Sequence, residues 1–160
     1  MRFCRFIGFY LLTFVKFYCL FFTMPSKDLY HDNVRLALEK EGWLITHDPY
    51  TIAIGRRTGY IDLGAEMIAA EKGAEKIAVE IKSFLQKSEL NAFEDAVGQF
   101  LVYLLALEKK EPDRKLWLAV PHSFYQHFFE DPFFVELINR YFINVLAYNE
   151  VENSITLWRK

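Results

Sequence analysis

The tightest constraint on the fold is the stretch KIAVEIKSF, residues 76–84. Ile77, Val79 and Ile81 alternate with Ala78, Glu80 and Lys82, and a period of two belongs to an extended chain rather than a helix. One row is wholly apolar and the other carries an acid and an ammonium two residues apart. The charged row has two readings. It is either the solvent-facing side of a half-buried strand or one half of a site for a divalent cation.

The flanking periodicities place this strand in a mixed α/β domain with one central sheet. Ser26 is a candidate N-cap for a first helix, Asp28 lies in its first turn, and Gly42 closes it. Tyr30, Val34, Ala37, Leu38 and Glu41 share one face at 3-and-4 spacing. WLITH (43–47) reads as a short strand and DPY as a turn. The runs 51–57 and 59–73 read as two further extended segments, with a loop around Gly73 before the strand of residues 77–84. Residues 89–108 form a long helical pattern with a wide apolar stripe through Leu90, Phe93, Val97, Phe100, Leu101, Leu104 and Leu105. EKKEPDRK is a polar connector, and LWLAVP (116–121) is a continuous apolar run expected as a buried strand. Two short helices, HSFYQHFF and PFFVELINRYF, precede a closing hairpin of INVLAY and SITLW.

Composition matters chiefly through its unevenness. The first 23 residues hold seven Phe and two Tyr, both cysteines (Cys4 and Cys19), three basic residues and no acid. Residues 1–23 therefore read as a hydrophobic leader with three explanations: a signal sequence, a membrane anchor, or an in-frame extension upstream of a start at Met24. No small-x-small cleavage pattern lies near Thr23, and Lys16 interrupts the apolar run, so the start at Met24 is the expectation. Residues 24–160 are then one domain, with 16 Lys and Arg against 21 Asp and Glu, a formal balance of −5. That excludes a broad phosphate-binding surface and leaves local patches for any nucleic acid. A body without cysteine has no disulfide and no cysteine-based zinc site, which suits the cytoplasm.

Asp62, in YIDLG, precedes Glu80 by eighteen residues, and the EKG turn between them lets its strand fold back beside the one carrying Glu80 and Lys82. Two carboxylates from adjacent strands suit a hard cation, with the carbonyl of Ile81 and waters completing the shell. Lys82 could orient a water or stabilise developing negative charge. Gln99 and Tyr103, four apart on the long helix, either point a polar strip at this site or form a surface edge. Arg56 and Arg57 are the best-placed candidates for DNA phosphate contacts, with surface solvation as the competing use. His47 reads as a strand end, and His122 and His127 have no acidic partner at ligand spacing.

The series Asp62…Glu80-Ile81-Lys82, with a helix before it and a helix bearing Gln99 after it, resembles the PD-(D/E)xK nuclease superfamily. More narrowly, the blocks MPSKDLYHDNVRLALEKEGWLITHDP, YIDLGAE, IAAEKGAEKIAVEIKSF, AVGQFLVY and LEKKEPDRKLWLAVP resemble the XisH family, the fdxN element excision controlling factors of cyanobacteria. The resemblance covers 24–160 and leaves the leader outside. It implies a restriction-endonuclease-like αβββαβ core, a central mixed sheet flanked by helices. It also implies a role in programmed excision of a DNA element, alongside an XisI-like companion protein and an XisF-like site-specific recombinase. Within the superfamily the expected cofactor is Mg2+ or Mn2+. Asp62, Glu80, Lys82 and Gln99 would be catalytic, and Asp62, Glu80 and the Ile81 carbonyl would hold the metal. In the resolvase branch a metal-site Glu stands eleven residues before the glycine that ends the first helix. This chain has His31 there, flanked by Asp28 and Asp32, so His31 is either a fourth metal ligand or a packed helix-edge histidine. The two functional expectations are a metal-dependent DNA endonuclease and a non-catalytic accessory factor acting through a companion protein or recombinase.

Overall fold

A computed structural model describes residues 27–69 and 73–160. The expected cap at Ser26 and the whole leader lie outside the described residues. Helix α1 (His31–Lys40) begins later than its sequence pattern suggests. Asp28 instead shapes a turn, its Oδ1 accepting from the Tyr30 amide at 3.0 Å. Gly42, at φ +91°, ends the helix as expected. The Trp43 amide reaches back to the Leu38 carbonyl and the Gly42 amide to that of Glu39, a Schellman arrangement that requires the left-handed glycine.

Five strands follow: β1 (Leu44–His47), β2 (Tyr50–Ile54), β3 (Arg57–Ile61), β4 (Leu63–Ala69) and β5 (Gly73–Ile81). Helix α2 (Glu89–Lys110) leads to β6 (Arg114–Pro121), then α3 (His122–Phe128), α4 (Pro132–Arg140), β7 (Val145–Asn149) and β8 (Ser154–Arg159). The main sheet has the order β1-β4-β5-β6-β7-β8, and β2-β3 form a separate hairpin. Strands β5, β6 and β7 run parallel, while β1, β4 and β8 pair antiparallel, so the sheet is mixed as expected. With the hairpin set aside, α1, β1, β4, β5, α2 and β6 follow the αβββαβ order.

Three expectations are corrected. Residues 51–57 do not form one strand: the chain turns at Gly55, φ +60°, and Arg56, so β2 ends at Ile54 and β3 starts at Arg57. Residues 59–73 do not form one strand: the chain bends at Asp62, so β3 belongs to the hairpin and β4 to the main sheet. Gly73 is not a loop centre, since it already pairs with Ala69 at the start of β5.

The sheet is covered on both sides. Val34 and Leu38 of α1 pack on Ile77, Val79, Ile81, Trp117 and Leu146. Phe93, Ala96, Phe100 and Leu107 of α2, with Ile52 and Ile61 of the hairpin, pack on Ala78, Leu116, Leu118 and Val120. Every side chain of β5 from Ile77 to Ile81 is consequently buried, including Glu80 at 2% exposure. The reading of the charged row as a solvent-facing side is thus overturned at Glu80.

The polar connector between α2 and β6 also behaves unlike a loop. Arg114 is buried, donating to Glu111 at 2.7 Å, to Glu66 at 2.7 Å and to the backbone carbonyls of Ile77 and Ala65. Glu111 additionally accepts from Tyr50 and Lys76, both at 2.8 Å, and Arg114 first among these partners holds its carboxyl down at about 2. This one network ties the hairpin, β4, β5, the end of α2 and the start of β6. Truncating a buried charge strands its partners, so Arg114→Ala should lower unfolding free energy by about 3–5 kcal/mol in urea titrations. The part due to Glu111 is present above its unfolded value near 4.5 and is lost as pH falls toward about 2, so the wild-type advantage over Arg114→Ala should shrink at acid pH.

Candidate active site

The bend at Asp62 and the end of β5 open onto a cleft of about 900 Å3. Because β4 pairs antiparallel with β5, Leu63 opposite Val79, Asp62 comes to the level of Glu80 and Ile81. Its Oδ2 accepts a hydrogen bond from the Ile81 amide at 2.8 Å. Asp62, Glu80, Ile81 and Lys82 all line the cleft, so the two acids and the ammonium expected to converge do share one pocket.

Lys82 Nζ lies 2.9 Å from Glu80 Oε1. Glu80 Oε2, in contrast, is buried and has no hydrogen-bond partner among the described residues. Burial, and then the neighbouring Asp62 carboxylate, push the Glu80 carboxyl up to about 7, with Lys82 opposing them. Burial also raises Asp62, against the opposing effect of the Ile81 amide. Burial works against the charge of Lys82, but Glu80 and Asp62 outweigh it and hold the ammonium above its ordinary value.

The far wall comes from α2 and the hairpin. Gln99 Nε2 donates to Tyr103 Oη at 2.8 Å, and Tyr103 donates to the Tyr60 carbonyl at 2.9 Å. Both side chains line the cleft, so of the two readings given to this strip the structure supports the one facing the site. The first turn supplies a residue that the sequence pattern had given only to a helix start. Asp28 Oδ2 accepts from the Ser83 amide at 3.0 Å and fastens the chain just beyond Lys82. Phe84 follows at φ +52°, a left-handed backbone held while its ring stacks on Phe124 at 3.7 Å.

Other expected members stand apart. His31 is buried, but its Nε2 approaches Asp48 Oδ1 at 2.9 Å and it does not line the cleft. Packed against Asp48, it has the place of a helix-edge histidine rather than of a fourth ligand. Among the described residues, no three or more His, Cys, Asp or Glu side chains gather as a metal-binding group. Arg56 and Arg57 are exposed at the tip of the β2–β3 hairpin, whose Thr58, Gly59 and Tyr60 border the cleft while the two arginines do not. His47 ends β1 and stacks edge-on against Tyr50.

A carboxyl whose proton is retained to about pH 7 in the folded chain, but only to about 4.5 when unfolded, favours folding below 4.5. That stability is lost as pH rises through about 7. Glu80→Gln keeps the shape without the ionisation. Its thermal midpoint should match wild type near pH 4 and exceed it increasingly up to pH 8, by an amount on the order of 2–3 kcal/mol in unfolding free energy. Differential scanning calorimetry across that range checks this. A constant offset at all pH values would contradict the burial argument.

Comparison with known proteins bears on most of the chain. No curated protein matches it. The crystal structure of an XisH family protein from Nostoc punctiforme PCC 73102 is 41% identical, covers 83% of this chain and 100% of its own, and superimposes with a TM-score of 0.74. The crystal structure of a fdxN element excision controlling factor protein from Anabaena variabilis is also 41% identical. It covers 84% of this chain and 100% of its own, with a TM-score of 0.76. The family model described as XisH protein matches residues 24–156, a segment that begins at Met24 and contains the complete cleft. The chain belongs to the XisH family.

Proposed function

We propose that this chain acts in the programmed excision of a DNA element by cleaving a phosphodiester in the Asp62–Glu80–Lys82 cleft with the help of a divalent cation. One observation carries the reading: Glu80 Oε2 is buried, without a hydrogen-bond partner among the described residues, beside a second carboxylate. A buried carboxylate used only for structure is normally satisfied at both oxygens. Two carboxylates without imidazole or thiolate suit Mg2+ or Mn2+, which keep several waters and take phosphate oxygens as further ligands. Asp62 and Glu80 would hold the cation, with the Ile81 carbonyl as an additional oxygen donor. The bound cation would supply Lewis acidity toward a phosphoryl oxygen and a water of lowered pKa.

The chain's own groups have separate tasks. Lys82, kept charged by Glu80 and Asp62, stabilises negative charge developing on the phosphoryl group. Gln99 presents an amide that Tyr103 fixes against the hairpin, suited to orienting a water or a phosphate oxygen. Arg56 and Arg57, outside the cleft, would meet the DNA backbone away from the scissile bond. The name of the Anabaena variabilis relative supports the excision context, in which the chain would work in the cytoplasm with an XisI-like companion and an XisF-like recombinase.

The second reading, a non-catalytic accessory factor, has an observation of its own. Lys27 and Lys82 face Asp28, Asp62, Glu80 and Asp95 in the cleft, a balance unfavourable to a polyanion without added cation.

Labelled single-stranded and branched DNA should be cut by the wild type with Mg2+ or Mn2+. Glu80→Ala and Lys82→Ala should each lower the rate by about 100-fold or more. Absence of metal-dependent cleavage by the wild type on all such substrates would leave the accessory reading standing. Calorimetric titration with Mn2+ should show binding that Asp62→Asn removes. Affinity should strengthen as pH rises from about 6 to about 8, with uptake of protons by buffer, because the cation must displace the proton held on Glu80.

A further inference from the structure

We propose that the outer face of α2 is the interface of a two-fold symmetric homodimer in which the two copies of this helix pack antiparallel. The inner face of α2 is accounted for by the core, through Ala92, Phe93, Ala96, Phe100, Tyr103, Ala106 and Leu107. The opposite face should be polar on a helix that ends in solvent. Instead Leu101, Val102 and Leu105 are 36%, 47% and 57% exposed, and Gly98 lies among them. Their spacing, 98-101-102-105, is that of a packing stripe.

Gly98 is the informative member. Glycine inside a helix costs about 1 kcal/mol relative to alanine. Among the described residues nothing outside the helix's own backbone requires it, because an added Cβ would meet no such atom within 4 Å. The missing side chain leaves room on this face for the close approach of a second helix.

A second copy fits this face without adjustment of the sequence. An antiparallel pair centred between Leu101 and Val102 sets Leu101 opposite Val102 of the second copy and Gly98 opposite Leu105. The exposed leucine then enters the hollow over the glycine, twice by symmetry. The same register sets Glu94 opposite Lys109, again twice. Both residues are exposed, and neither makes an ion pair among the described residues. Size and charge thus both complement under one two-fold operation, which a generic apolar patch has no reason to satisfy. The cleft-lining Asp95, Gln99 and Tyr103 lie on a flank of α2 turned away from the stripe's centre, so pairing leaves the cleft open.

Sedimentation velocity on the full chain, from about 5 to about 500 µM, tests this, since a two-helix contact is at the small end of specific interfaces and should dissociate in the micromolar range. The wild type should shift from monomer to dimer across that range. Leu105→Glu should abolish the shift. Gly98→Leu should weaken association by about tenfold or more while circular dichroism stays unchanged or gains helix, because leucine is the better helix former. Glu94→Lys and Lys109→Glu should each weaken it by about five- to tenfold, and the two together should restore it. A monomer at every concentration overturns the proposal. So does association that survives both Leu105→Glu and Gly98→Leu, which would place the contact elsewhere on the chain. A charge-reversed double variant no better than either single variant overturns the antiparallel register.

Discussion

A carboxylate cannot be moved from water into a protein interior without compensation, and the placement of Glu80 turns on this cost. Strand β5 lies between β4 and β6, with α1 over one face and α2 with the hairpin over the other. A side chain pointing toward α2 from near the end of that strand has no route to solvent except along the cleft. Lys82, two residues on, returns one favourable contact at Oε1, and nothing among the described residues returns one at Oε2. The rest of the local structure serves this imbalance. Asp62 is brought in by the bend between β3 and β4, Asp28 fastens the backbone beyond Lys82, and Tyr103 ties the hairpin to α2.

The second buried charge, Arg114, shows the opposite solution. It too is removed from water, yet two carboxylates and two carbonyls surround its guanidinium. A satisfied network of this kind fixes the relation between sheet and hairpin, and it has no unpaired atom to offer a ligand. The contrast separates the roles of the two groups on physical grounds. Where every donor and acceptor is matched, the charge serves architecture; where one oxygen of a buried acid is left bare beside another acid, the arrangement is open to a cation.

Much of this was legible in the residues. The alternation through β5, the glycine stop after α1, the apolar stripe of α2 and the continuous run of β6 each follow from local periodicity or a backbone requirement. The meeting of Asp62 with Glu80 and Lys82 was legible as well, since a short connection between two neighbouring strands leaves little choice but an antiparallel register. The division of 59–73 at Asp62 was not. The residues on both sides favour extended backbone, and only packing of the hairpin against α2 draws β3 away from the main sheet. His31 likewise could not be placed, because its neighbour Asp48 lies beyond the next strand and no spacing rule reports that contact.

By itself, then, the sequence determined most element types, the mixed α/β class, the family, and the pair of strands whose pairing brings the acids together. These depend on side-chain period and on short-range turns, both of which are written in neighbouring residues. Tertiary structure alone decided that Glu80 is covered rather than wetted, that Arg114 is a buried hub, and that Arg56 and Arg57 stand outside the cleft. Burial is a property of what packs over a face, and those covering residues arrive from segments distant along the chain.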